Sequence, residues 1–245
     1  MEEEIIVGRN AVTEALRSGR SLNKILVQDG LKGGSISPII ALAKELNVTV
    51  NYVESQKISK ITPDDLRHQG VAAFAAPVKL YDLDEILDGI TAKGEEPFLL
   101  LLDELQDPQN VGALIRTADA AGVHGVLMPQ RRACPLNAVV AKVSAGAIEY
   151  VPVAKIGNIV QTIKYLQSKG MWIIGADMDG DAEYFKTNLK GPIVLVVGAE
   201  GKGLGRLVKE NCDVLVKIPM NGGVSSLNVS VAGAILMYDI VRQRF

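Results

Sequence analysis

The chain has 245 residues, 48% hydrophobic and 22% charged, enough to bury one large core or two ordinary ones. Its 26 Lys and Arg against 28 Asp and Glu leave a net charge of −2, so a global basic excess for binding phosphate backbones is excluded and a local face must serve instead. No run approaches the ~20 apolar residues of a membrane span, Met1-Glu2-Glu3-Glu4 is unlike a secretory signal, and Cys134 and Cys212 lack metal-type spacing; a cytoplasmic chain with reduced thiols is expected.

The first segment alternates helix and strand signals. Asn10–Ser18 has helical spacing and stops at Gly19. A strand is predicted at Lys24–Gln28, then a helix over about Ser37–Asn47 with Pro38 in its first turn, where a missing N–H costs little. Thr49–Val53 and Val71–Ala76 read as strands. Arg9, Arg17, Arg20 and Lys24 are candidates for a local basic face, as are Arg131 and Arg132 later; His68 and His124 read as surface and structural histidines. The composition shift at Pro77–Leu80 predicts two domains, 1–77 and 78–245.

After a short helix at Leu83–Ile90, Phe98–Asp103 (FLLLLD) is a continuous apolar run, typical of a strand buried on both faces. Further strands are predicted at Gly125–Met128, Trp172–Asp177, Ile193–Gly198 and Val214–Ile218, with Trp172 in the core. Helices are predicted between them at Asn110–Gly122, Asn137–Ile148, Asn158–Lys169, Leu204–Cys212 and Leu227–Arg244. This alternation implies an α/β fold with a mainly parallel sheet, whose ligands bind beyond the carboxyl ends of the strands. The last helix carries apolar residues around most of its circumference, so it packs on more than one side, inside the domain or against a second copy.

Three strand ends carry polar constellations. In the first, Asn110 is placed to cap a helix, Gly112 permits close approach, and Arg116 follows one turn later on the same face. Val111, Leu114, Ile115 and Ala118 form its packing side, and an Arg116–Asp119 pair is the bland alternative. The second is the glycine-rich turn Gly198–Gly205, which fails the P-loop pattern at Gly203 and the dinucleotide pattern at Arg206. The third, Lys217–Ser230, holds two adjacent glycines with Ser225, Ser226 and Asn228, more hydrogen-bonding groups than one helix cap requires.

Together these segments resemble the SpoU family of SPOUT methyltransferases. Asn110, Gly112 and Arg116 match N-x-G-x-x-x-R; Gly198, Glu200 and Gly203 match G-x-E-x-x-G; Ile218-Pro219-Met220 and Ser226–Ser230 match the third motif. The resemblance implies a small N-terminal α/β RNA-binding domain and a C-terminal SPOUT domain with a trefoil knot and an obligate homodimer. It implies S-adenosylmethionine as methyl donor, with Gly198, Ile218, Met220 and Leu227 lining its pocket, and no metal. The implied substrate is a ribose 2′-hydroxyl of structured RNA; the layout is most similar to members that methylate a guanosine in 23S rRNA. A tRNA substrate, or a non-catalytic role in ribosome assembly, is the alternative.

Asn110, Arg116, Glu200, Ser226 and Asn228 are the expected catalytic set. Guanidinium pKa values exceed about 12, so Arg116 is expected to act as a cation that holds an RNA phosphate and stabilises alkoxide charge. Glu200 would order its loop or orient Arg116, while Ser226 and Asn228 would position the ribose. Both cysteines are expected to be spectators.

Overall fold

The computed structural model of the chain describes residues 3–31, 33–64, 66–199 and 201–245. In chain order the strands and α-helices are β1 (Glu4–Val7), α1 (Arg9–Arg17), β2 (Leu22–Gln28), α2 (Ser37–Glu45), β3 (Thr49–Val53), α3 (Ser55–Ser59) and β4 (Val71–Ala75). There follow β5 (Leu80–Tyr81), α4 (Leu83–Lys93), β6 (Phe98–Asp103), α5 (Pro108–Ala120), β7 (Gly125–Pro129), α6 (Ala138–Val143) and β8 (Val153–Ile156). The last are α7 (Ile159–Ser168), β9 (Trp172–Ala176), β10 (Ala182–Glu183), β11 (Ile193–Gly198), α8 (Arg206–Asn211), β12 (Val214–Lys217) and α9 (Val229–Arg244). The contacts divide the chain into two compact units, Met1–Lys79 with Pro135–Tyr150, and Leu80–Cys134 with Val151–Phe245.

In the first unit the sheet order is β1-β4-β2-β3, with β4 antiparallel to β1 and β2, and β2 parallel to β3. Alternation along the strands sends Ile25, Val27 and Ala73 to one face, under Val12 and Leu16 of α1 and Ile39 of α2. Leu26 and Ala72 point to the other, where Ile58 of α3 meets them. The predicted helix at Asn137–Ile148 is shorter than expected. It ends at Val143 because Ala145 and Gly146 take left-handed backbone, φ 53° and 93°, before a 3-10 turn at Ala147–Glu149. A β-carbon on Gly146 would stand 2.5 Å from Glu14 Cβ, so only glycine fits there.

Arg20 is corrected from a candidate RNA contact to a structural residue. Its side chain is only 7% exposed and pairs with Glu4 at 2.5 Å and Glu149 at 2.7 Å, while donating to the Ala76 carbonyl. Removing either half of such a buried pair leaves an uncompensated charge. Arg17 pairs with Glu14, and the Lys24 ammonium lies 4.3 Å from the Phe74 ring centre.

The second unit holds an eight-stranded sheet in the order β10-β12-β9-β11-β6-β7-β8-β5, every pair parallel. Every residue of β6 and β11 is buried, as their continuous apolar runs require. On one face Leu99, Leu101, Val194 and Val196 pack under α4, α7 and α8. On the other, α9 lies against β11 and α5: a β-carbon on Gly233 would stand 2.4 Å from Leu114 Cδ2 and 3.8 Å from Val197 Cγ1. The small residues of α9 therefore admit a helix of the same unit. Among the described residues, no helix is long and apolar enough to cross a membrane.

Candidate functional site

The carboxyl ends of β9, β11 and β12 open on a pocket, the position where parallel sheets bind ligands. Gly198, Ile218, Met220 and Leu227 all line it, together with Ser226. Met178, Val229 and Leu236 extend the apolar wall. Four residues chosen for one role, from two segments of the chain, thus meet around one cavity.

The geometry of the second motif follows from its glycines. A β-carbon on Gly198 would stand 2.2 Å from the carbonyl carbon and oxygen of Gly203, so the turn folds back onto the strand end. The Gly203 N–H donates to the Ala199 carbonyl at 2.8 Å, and Gly201 and Gly203 take φ of 77° and 63°. The Gly205 N–H then donates to the Asp103 carboxylate at 2.7 Å, fixing the turn to the end of β6. Burial pushes the Asp103 carboxyl above its ordinary range, against the lowering effect of that hydrogen bond.

Sequence reasoning missed Asp177 as a pocket residue. It lies just beyond β9, 2% exposed in its side chain, and accepts from Lys209 Nζ at 2.6 Å and from the Asp179 N–H at 3.0 Å. The strand-end rule applied to β9 names it, but only once β9 is known to lie between β12 and β11.

The first and third motifs meet through their asparagines. Asn228 Nδ2 donates to Asn110 Oδ1 at 2.8 Å. Asn110, expected to cap its helix, does not; Asp107 is the cap, accepting from the N–H groups of Gln109 and Asn110. Pro108 explains the earlier start, since its fixed φ suits the first helical position. Asn110 is thereby placed inside α5, buried, while Asn228 caps α9 by accepting from the Ser230 N–H at 2.9 Å. Val111, Leu114, Ile115 and Ala118 are fully buried, as expected.

Arg116 is exposed, forms no ion pair among the described residues, and is not among the residues that line the pocket. Glu200 lies outside the described residues. Trp172, expected in the core, is 56% exposed at the mouth of β9. His124 is structural: its Nδ1 accepts from the Phe98 N–H at 3.0 Å and its Nε2 meets Glu95 at 3.0 Å. Burial pushes Cys134 to about 11 and Cys212 to about 12, so neither thiol supplies a thiolate near neutrality. No group of three or more metal-ligating side chains gathers among the described residues.

Two family models match the chain: the SpoU rRNA methylase family over residues 97–238, and an RNA 2′-O ribose methyltransferase substrate-binding family over residues 5–81. A Bacillus subtilis protein named for the TrmH family of tRNA/rRNA methyltransferases, YacO, is 42% identical over 99% of this chain and 97% of its own length. A Staphylococcus saprophyticus protein named for the same family is 44% identical over 100% of this chain and 97% of its own. Among solved structures, the SpoU methyltransferase AviRb of Streptomyces viridochromogenes, in complex with AdoMet, superposes with a TM-score of 0.83 at 23% identity, covering 98% of this chain and 90% of that one.

Proposed function

Because the chain belongs to the SpoU rRNA methylase family, we propose that it methylates the ribose 2′-hydroxyl of a guanosine in 23S rRNA, with S-adenosylmethionine as donor. The coarser activity comes with the family: it is an S-adenosylmethionine-dependent RNA 2′-O-ribose methyltransferase. The observation that carries the reading is the convergence of Gly198, Ile218, Met220 and Leu227 on one strand-end pocket. The choice of 23S rRNA rests on the family's rRNA name and on the substrate-binding segment over residues 5–81. The reaction is assigned to the cytoplasm.

The pocket residues fit S-adenosylmethionine. Apolar walls suit an adenine ring and a thioether chain, and the turn after Gly198 offers backbone groups to a polar ligand. The donor supplies a methyl group activated on a sulfonium. Arg116 is assigned to the RNA phosphate beside the target ribose, where a cation also stabilises developing alkoxide charge; its exposure and lack of an ion pair among the described residues support this. Ser226, on the pocket wall, and Asn228 are assigned to orienting the ribose, and Glu200 to ordering its loop or Arg116. The adjacent phosphate or water accepts the hydroxyl proton. Alignment of the two reactants supplies much of the acceleration.

The active species is proposed to be a homodimer, with the chain knotted around the donor site. Support for the dimer comes from α9, where Val231 and Tyr238, two turns apart on one face, are 48% and 50% exposed.

Incubation with labelled S-adenosylmethionine and unmodified rRNA and tRNA tests the reading, with Arg116→Ala as control. Label is expected in 23S rRNA, at a linkage resistant to alkaline cleavage, and absent with the variant. Label confined to tRNA would overturn the substrate, and absence of transfer despite donor binding would overturn the reaction.

A further inference from the structure

Lys142, on α6, presents an anomaly in the first unit. Its Nζ is shut off from solvent and has no hydrogen-bond partner among the described residues. A buried ammonium without a partner is costly, and proteins ordinarily pair such a charge. The surroundings add to the imbalance. Neither Lys142 nor Arg67 nor Arg9 forms an ion pair among the described residues. Burial and the Arg67 charge lower the Lys142 pKa, while burial and the Lys142 charge lower that of His68. Lys142 thus feels the Arg67 charge with no ion pair of its own among the described residues.

The start of α1 meets the same spot. A β-carbon built on Gly8, the N-cap, would stand 3.4 Å from Lys142 Nζ and 3.3 Å from Gln69 Oε1. No side chain caps Gly8's helix through an N-cap bond, and its first turn carries no acidic residue. The Arg9 N–H is instead taken by Gln69 Oε1 at 3.1 Å. Gln69 is exposed and sits in left-handed backbone, φ 54°, unusual for a residue other than glycine. Its carboxamide oxygen thus stands on a helix N-terminus, where anions bind, beside an unpartnered ammonium. A polar recess lined by Arg9, Asn10, Ser35, His68 and Gln69 opens at this helix start, and Lys142 Nζ lies behind it, next to Gly8.

We propose that this recess is a phosphate site, in which a phosphodiester oxygen of the RNA substrate displaces the Gln69 carboxamide and is held by Lys142 Nζ and the Arg9 N–H. Arg9, whose guanidinium is held by the Gln69 carbonyl and Ser35 Oγ, stands at its rim. The assignment of RNA as the anion's source rests on the function proposed above. The site acts on binding and touches no reacting atom.

The test uses the full chain and a labelled in vitro transcript of 23S rRNA, with retention on a filter measured across a salt series. Lys142→Met is expected to weaken binding about tenfold and to lower the slope of log K against log salt by roughly 0.7–0.9, the share of one phosphate contact. Its melting temperature should hold or rise, since a desolvated charge is gone. Wild-type affinity and slope in this variant would overturn the site, and so would a fall in melting temperature with an unchanged slope, the mark of a structural lysine. If Lys142→Met fails to fold, exposed Gln69→Ala carries the test: with the competing carboxamide gone, binding should tighten, and unchanged or weaker binding overturns the proposal. Methyl transfer to the same transcript separates the two readings. A Lys142-dependent slope without transfer keeps the site and removes the reaction; transfer without that dependence does the reverse.

Discussion

Asn228 reaches across 118 residues of sequence to donate to Asn110 at 2.8 Å, joining the helix that carries Arg116 to the helix that walls the pocket. The same Asn228 side chain accepts from the Ser230 N–H and Oγ, so one residue caps α9 and ties it to α5.

Asn228→Ala should therefore cost about 2 kcal/mol, roughly half from the lost cap and half from the lost side-chain bond. Loss of the side-chain bond in Asn110→Ala should cost about 1 kcal/mol. Urea unfolding, followed by the emission of Trp172 in the second unit, gives both values. The double variant should fall short of their sum by about 1 kcal/mol; strict additivity would mean that the two side chains do not support each other.

Gly198→Ala places a methyl group 2.2 Å from the Gly203 backbone. The turn has to move off the strand end, and the pocket wall with it. Calorimetry should find S-adenosylmethionine binding weakened at least about tenfold, with the circular dichroism of the fold retained. Undiminished binding would show that the turn is free to shift without touching the donor site.

Asp103 gives a pH signature. Its folded carboxyl holds a proton above the ordinary carboxylate range, so the folded state binds more protons than the unfolded one between those two values. Its contribution to stability falls as pH rises through that window. Asp103→Asn keeps an oxygen to accept the Gly205 N–H and carries no charge to bury. The variant should have a higher urea midpoint than the parent at neutral pH, and the gain should vanish below the ordinary carboxylate value. An equal gain at both extremes would point to packing instead.

The exposed face of α9 predicts assembly. Val231 and Tyr238 replaced together by arginine should convert a sedimenting dimer into a monomer, because two charges would be buried unpaired at the contact. A monomeric parent would dispose of the idea at once.

Much of this was legible in the sequence where a single residue type in a single pattern suffices. Phe98–Asp103 announces a strand buried on both faces, and Val111, Leu114, Ile115 and Ala118 announce the packing side of a helix. Order in space was less accessible. Asp177 becomes a pocket residue only because β9 lies between β12 and β11, and nothing near Asp177 in sequence encodes that neighbour. β1 is four residues long, too short for a period to show. At the first motif, two capping residues stand three apart, and the one followed by proline wins. The role of Lys142 was invisible for the same reason as that of Asp177: its environment is built by Gly8 and Arg67, far away along the chain.

The pairing of β6 with β11 has a consequence for synthesis. Phe98 lies beside Ile193 and Asp103 beside Gly198, so the strand at the centre of the second sheet waits for roughly a hundred further residues before that edge is closed. At about 5–20 residues per second, a ribosome exposes this apolar edge for roughly 5–20 seconds. β7 pairs with its other side in the meantime, leaving a half-paired apolar strand of the kind that chaperones shield during synthesis.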